Sequence, residues 1–208
     1  MGVTDFLGID GDYVDSGKLL IAPDRFRALD LTQPFSLERS FDLVMTLEVA
    51  EHLPEASASG FIKSLVALGP VVLFSAAVPY QGGTGHINEQ WPEYWAALFS
   101  RERYVAIDCI RPRVWSNPEV QPWYAQNALL FVKEDVLVDN QALRAERDGS
   151  LGRPLNLVHP DQYVGAADSR NWDPRMLSLD QCIAGLKANL KKKARATLHW
   201  RLQRLFLR

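Results

Sequence analysis

Carboxylates close an apolar run three times in the first fifty residues: Asp10 ends the run 4–10, Asp30 falls at the end of 26–31, and Glu48 stands at the end of 41–49. A carboxylate held at a strand end can accept hydrogen bonds from both hydroxyls of a ribose, or from an exocyclic amine. An aspartate there can equally cap a helix or close a turn. Glu51 and His52 follow at once, and His52, beside Leu53 and Pro54, can either face a site or set the turn into the next helix. His86, in Gly85-His86-Ile87-Asn88-Glu89, follows a glycine loop, where a general base can reach an acceptor hydroxyl or a histidine can simply hold the loop. His52, His86 and Glu89 match no metal-ligand spacing, so no metal is expected. Cys109 and Cys182 have no cysteine or histidine at such spacing and read as packing thiols.

The elements that must position these groups alternate between short β runs and helical stretches over residues 1–133, the signal of a helix-covered, mostly parallel sheet. The run Phe41 to Val49 is continuous enough to be a strand buried on both faces, and Pro54 opens a helix through Leu68. Val71 to Val78 is the next strand. Glu89 to Arg101 is helical with Trp91, Trp95, Leu98 and Phe99 on one face, and Tyr104 to Ile110 and Ala125 to Lys133 are the last strands. The connection 111–124 carries three prolines with Trp115, Trp123 and Tyr124, and reads as a substrate-facing loop whose rings can stack on a ring or sugar. The loop Gly82-Gly83-Thr84-Gly85 lacks both a Lys-Ser/Thr ending and Gly-x-Gly-x-x-Gly spacing, so it is read as a lid rather than a phosphate loop. Residues 134–178 lose periodicity and read as a connector. Helical spacing returns over 179–208.

Size and composition, 208 residues at 47% hydrophobic, suit one globular domain with a substantial core. No apolar run reaches the roughly 18 residues of a membrane span, and no basic-then-apolar leader opens the sequence, so a cytoplasmic protein is expected. The net charge of −2 conceals eight Lys or Arg and no acid in 187–208, against 15 basic and 25 acidic side chains elsewhere. So acidic a body disfavours nucleic acid, whose binding rests on neutralising phosphates. The segment 186–208 has an apolar stripe facing a basic one, the pattern of a helix that docks on a membrane surface, on a partner protein or on its own acidic body.

Over residues 3–133 the order of segments resembles the class I S-adenosylmethionine-dependent methyltransferases. Gly8-Ile9-Asp10-Gly11-Asp12 matches the second strand of that family, Ala28-Leu29-Asp30-Leu31 the third, and Glu48-Val49-Ala50-Glu51-His52-Leu53 the end of the fourth. The resemblance implies a Rossmann-like α/β fold with a mostly parallel sheet, an antiparallel final strand and a C-terminal basic helix. It implies that Asp10 holds the cofactor ribose, that Asp30 and Leu31 meet the adenine, and that Glu48, Glu51 and His52 line the cofactor side. It places Tyr80, His86, Asn88 and Glu89 toward the methyl acceptor, with His86 as catalytic base. The Asp/Asn-Pro-Pro-aromatic motif of nucleobase enzymes is absent at the fifth strand, so the implied acceptor is a small molecule or glycan.

The resemblance enters at the second strand of the family. Only Met1, Gly2 and Val3 precede it, and the glycine-rich turn after the first strand is not in the sequence. Because that strand lies between the second and the fourth, the expected sheet is truncated on its N-terminal side, with two bare edges that could support a homodimer. The sequence fits either a start further upstream or a shortened paralogue. The alternative function is a noncatalytic binding or scaffolding module on the same fold. A dinucleotide oxidoreductase ranks third, since no pyrophosphate fingerprint precedes Asp10.

Overall fold

The computed structural model of the protein describes residues 2–170. The chain divides into two compact units at Tyr163/Val164. The first carries both sheets; the described part of the second is the helical stretch 164–170. Cys182 and the basic helix expected over 179–208 lie outside the described residues.

The architecture is mixed α/β. Strands β1 (Gly8–Asp10) and β2 (Phe26–Ala28) pair in parallel, with Asp10 opposite Ala28. A second sheet orders β3 (Val44–Leu47), β4 (Val71–Ser75), β6 (Leu129–Lys133) and β5 (Tyr104–Ile107). β3 and β4 are parallel. β6 lies between β4 and β5 and is antiparallel to both, so it alone in this sheet runs against the others. Among the described residues no strand joins the two sheets: β1 pairs only with β2, and β3 only with β4.

The run Phe41 to Val49 was expected to be covered on both faces, yet its residues alternate: Val44 and Thr46 are buried, while Leu43 is 50% and Met45 64% exposed. Successive side chains in a strand point to opposite faces, so only one face of β3 is packed by the described residues.

The packed face is covered by α1 (Ala58–Leu68) and α2 (Pro92–Arg101). Phe61, Ile62, Leu65 and Leu68 recur at helical spacing and are all buried, and Trp95, Leu98 and Phe99 do the same on α2. Phe74 meets Trp95, Phe99 and Phe131, and the rings of Phe99 and Phe131 stack at 3.9 Å. Each such ring fully withdrawn from water contributes about 1.5–3 kcal/mol, so this aromatic knot holds α2 against the middle of the sheet. Tyr104, at the start of β5, donates its hydroxyl to the carbonyls of Val66 (3.0 Å) and Gly69 (2.9 Å), tying the sheet to the end of α1. A side chain at Gly69 would overlap the Phe41 carbonyl, which explains glycine at this crossing.

The connection 111–124, expected to be an open loop, holds two short helices, α3 (Arg111–Val114) and α4 (Pro122–Asn127), each with proline in its first turn. The expected connector after 133 is helical: α5 (Glu134–Asp139), α6 (Gln141–Ser150) and α7 (Pro160–Arg170) follow one another. Leu137 is buried and packs with Ile107 and Val132, so α5 belongs to the core of the sheet domain. Arg111 is 1% exposed and forms a two-pronged pair with Asp108, with both Nε and Nη2 at 2.9 Å. It also donates to the carbonyls of Leu155 (2.7 Å) and Pro154 (3.3 Å), pinning the stretch after α6 beneath α3.

Candidate functional site

Parallel strands deliver their carboxyl ends to one side of a sheet, which is where ligands of open α/β sheets bind. Here β1, β2 and β3 bring Asp10, Asp30 and Glu48 to the wall of one cavity of about 820 Å³, together with Gly11, Asp12, Tyr13, Leu31, Thr32, Val49, His52 and neighbouring backbone. Among the described residues its lining holds four carboxylates and no lysine or arginine. A smaller cavity of about 330 Å³ lies between α3 and α6, but its principal charges, Arg113 and Glu146, already pair with each other at 2.7 Å.

Asp10 closes β1 and accepts on Oδ1 from the Gly11 N–H (2.7 Å) and the Tyr13 hydroxyl (2.6 Å), leaving Oδ2 without a protein partner among the described residues. The bond to Asp10 pushes the Tyr13 phenol upward, with burial and the Asp10 charge acting in the same direction. Asp30 receives the N–H (2.9 Å) and hydroxyl (2.7 Å) of Thr32 on one oxygen; these bonds hold its carboxyl below the usual range. Its other oxygen is likewise open.

Glu48 sits at the end of β3 with a φ of 55°, a left-handed conformation that costs a non-glycine residue about 1 kcal/mol or more. Its N–H donates to the Ser75 carbonyl (3.0 Å) and hydroxyl (3.1 Å), which holds the turn. Its carboxylate accepts from Gln81 Nε2 (2.8 Å) and Asn127 Nδ2 (3.1 Å). Asn127 also donates to Gln81 Oε1 (2.9 Å) and accepts from Gln126 (2.9 Å), whose own carbonyl receives the His159 N–H (2.7 Å). Sequence reasoning missed this amide network. Its one visible signal was a pair of amides, Gln126 and Asn127, set directly before the apolar run of β6.

Glu51 behaves differently from Glu48. It is wholly buried, and neither carboxylate oxygen makes a hydrogen bond of acceptable geometry. Burial pushes its carboxyl up to about 8, and the nearby Glu48 carboxylate pushes the same way; the N–H groups of Glu51 itself and of Ala77 lie close enough to pull in the other direction. Glu51 therefore lies behind the cavity wall, whereas His52 contributes to it.

The residues expected on the acceptor side separate. His86 is not part of the cavity lining. Its Nδ1 lies 2.9 Å from Glu89 Oε1, and its Nε2 faces Glu51 Oε1 at 4.0 Å. Glu89 also accepts from the N–H groups of Tyr80 (2.7 Å) and Gly82 (2.8 Å), while His52 Nδ1 meets the Gly85 carbonyl (3.2 Å). The loop 82–85, expected to be a lid, is thus tied at several points to this corner. Asn88 is buried, with its N–H on the Glu51 carbonyl. Trp115 packs its ring on His159 (4.8 Å between centroids), and Trp123 lies against Tyr124 (6.0 Å). None of the three aromatic residues lines the large cavity; all three are half-buried on or beside α3 and α4.

Compared with models of known protein families and with curated protein sequences, the chain matches none. No helix among the described residues is long and apolar enough to cross a membrane.

Proposed function

We propose that the cavity between β1, β2 and β3 binds the nucleoside part of S-adenosylmethionine, and that the domain transfers a methyl group to a small-molecule or glycan acceptor. The observation that carries this reading is the charge of the wall: among the described residues it presents Asp10, Asp12, Asp30 and Glu48 and no lysine or arginine. Such a wall repels a pyrophosphate and favours a ligand rich in hydroxyl and amine donors that carries positive charge. A nicotinamide dinucleotide fits it poorly.

Asp10 Oδ2 and the open oxygen of Asp30 are the acceptors for a ribose diol and an exocyclic amine, and Leu31 supplies an apolar surface beside them. The volume lies within the range of ligand sites, about 300–1,000 Å³. The strand order also supports the reading. With β6 antiparallel between β4 and β5, the two sheets follow the resemblance outlined above, the unpaired edges of β1 and β3 being those that flank the place of the family's first strand. S-adenosylmethionine supplies an activated methyl on a sulfonium, so the chain's task is to bind, orient and exclude water.

Calorimetric titration of the folded protein with S-adenosylhomocysteine, with ATP as the anionic control, tests the reading. Binding of the first and not the second is expected. Silence toward S-adenosylhomocysteine in a protein with an intact circular dichroism spectrum and cooperative melt would overturn it in favour of a noncatalytic module.

A further inference from the structure

His52 on the cavity wall and the corner behind it form a second constellation, distinct from the carboxylates proposed to hold the nucleoside. Glu51, His52 and His86 each offer one ligating atom, and these atoms lie within 4.8 Å of one another. The geometry points to a binding site for a divalent transition-metal ion held by the Glu51 carboxylate and the Nε2 atoms of His52 and His86.

Hydrogen-bond logic decides which imidazole nitrogens are available. The partner of His52 Nδ1 is the Gly85 carbonyl, which can only accept, so Nδ1 carries the proton and Nε2 the lone pair. The partner of His86 Nδ1 is the Glu89 carboxylate, already an acceptor for two backbone N–H groups; it too calls for a proton on Nδ1. Both rings are oriented by a carbonyl or carboxylate behind them, the arrangement that fixes the tautomer of a metal-bound histidine. Gly83 leaves room for the His86 ring, since a methyl group there would overlap the imidazole.

The Glu51 carboxylate supplies the independent observation. It is wholly buried and neither oxygen makes a hydrogen bond of acceptable geometry, and a buried carboxyl group is normally hydrogen-bonded, protonated or on a metal. Its Oε1 lies 4.0 Å from His86 Nε2, too far for a hydrogen bond, so no direct bond joins the two groups. Ligands held at about 2.0–2.2 Å from one ion lie about 3.3–3.6 Å apart at tetrahedral angles and up to about 4.4 Å apart when opposite one another. The 4.0 Å pair lies between those values, and the ligating atoms of the three residues, all within 4.8 Å of one another, close on an ion with a movement of the exposed His52 ring. Two imidazoles and one carboxylate suit zinc, manganese, iron or cobalt better than magnesium or calcium. The sequence concealed the set because His86 is far from Glu51 and His52 along the chain, and the strand-to-loop return closes that gap.

This inference is independent of the methyl-transfer reading and can be tested on the full chain without cofactor. The tag-free protein is stripped with chelator and titrated with Co²⁺ while the visible d–d absorption is recorded; Zn²⁺ competition follows by calorimetry. One equivalent of Co²⁺ is expected, displaced by Zn²⁺, with a higher melting temperature in the loaded protein. His52→Ala, His86→Ala and Glu51→Gln should each weaken binding at least tenfold, and Glu89→Gln, acting through the His86 ring, about 10- to 100-fold. His159→Ala should leave binding unchanged. Absence of saturable Co²⁺ binding by the folded wild-type protein would overturn the assignment, whatever the variants do. So would saturable binding that both histidine variants retain.

Discussion

Replacing Asp10 by Asn is the sharpest perturbation of the proposed cofactor site, because it changes charge without changing shape. A carboxylate offers about four acceptor positions. In Asp10 two are taken on Oδ1 by Gly11 and Tyr13, so the pair on Oδ2 remains for the ribose hydroxyls. Asparagine can keep the carbonyl oxygen toward Gly11 and Tyr13, and then presents an NH₂ donor where a charged acceptor stood. The loss is one charge-assisted hydrogen bond, about 1.5–3 kcal/mol, which corresponds to about 10- to 150-fold weaker binding of S-adenosylhomocysteine. The assay is calorimetry on both proteins with S-adenosylhomocysteine and with its 2′-deoxyribose analogue. Wild type should discriminate strongly between the two ligands, and Asp10→Asn should discriminate far less, because the coupling runs through the missing hydroxyl. Weakening of less than about threefold, or equal discrimination by both proteins, would refute the assignment of Asp10 to the ribose.

Other perturbations probe the frame that holds the site. Arg111→Met removes the partner of a buried carboxylate and should destabilise the protein by about 3–5 kcal/mol in urea unfolding, with Asp108→Asn added to it recovering part of the loss. Tyr104→Phe deletes the two hydroxyl bonds to the end of α1 and should cost about 1–1.5 kcal/mol near neutral pH. Burial raises the Tyr104 pKa above its ordinary value of 10.0, so the folded state binds the phenolic proton more tightly than the unfolded state; this stability is complete below about pH 10 and is lost as pH rises through the folded pKa. The Phe variant should lose less stability than wild type over that alkaline range. Cys109 is buried and its thiol is pushed up, by burial first and then by the Glu146 charge, so a Cys182→Ser protein should resist iodoacetamide at pH 8 until denaturant is added.

Some of this protein could be read from local pattern alone. β-Rich runs ended by acids placed Asp10, Asp30 and Glu48 at strand ends, because an apolar run that stops at a carboxylate leaves that carboxylate at the rim of a sheet. The apolar face of α2 was equally plain: Trp95, Leu98 and Phe99 are buried as it indicates, while Trp91, expected with them, precedes the helix and is 38% exposed. Local pattern failed where short segments depend on what covers them. The stretch 111–124 has prolines and exposed-looking aromatics that suit a loop, yet Arg111 finds its buried partner Asp108 and the carbonyls of Pro154 and Leu155 only in three dimensions. Residues after 133 looked polar and aperiodic; α5 nevertheless uses the single buried Leu137 to anchor on β5 and β6.

The distribution of polar roles was decided by tertiary structure. Glu48 and Glu51 are three residues apart and of the same type, but the turn after β3 delivers one to the amides of Gln81 and Asn127 and turns the other into the protein without a partner. His86 could be read as a base beside an acceptor, and the fold instead sets it between Glu89 and Glu51, near His52. Period and residue type report which way a side chain faces from its own strand or helix, and the sequence therefore determined the strand-end carboxylates and the core faces. Partners arrive from elements far along the chain, so only the tertiary structure could decide which acids are satisfied, which are left bare, and where a cation could sit.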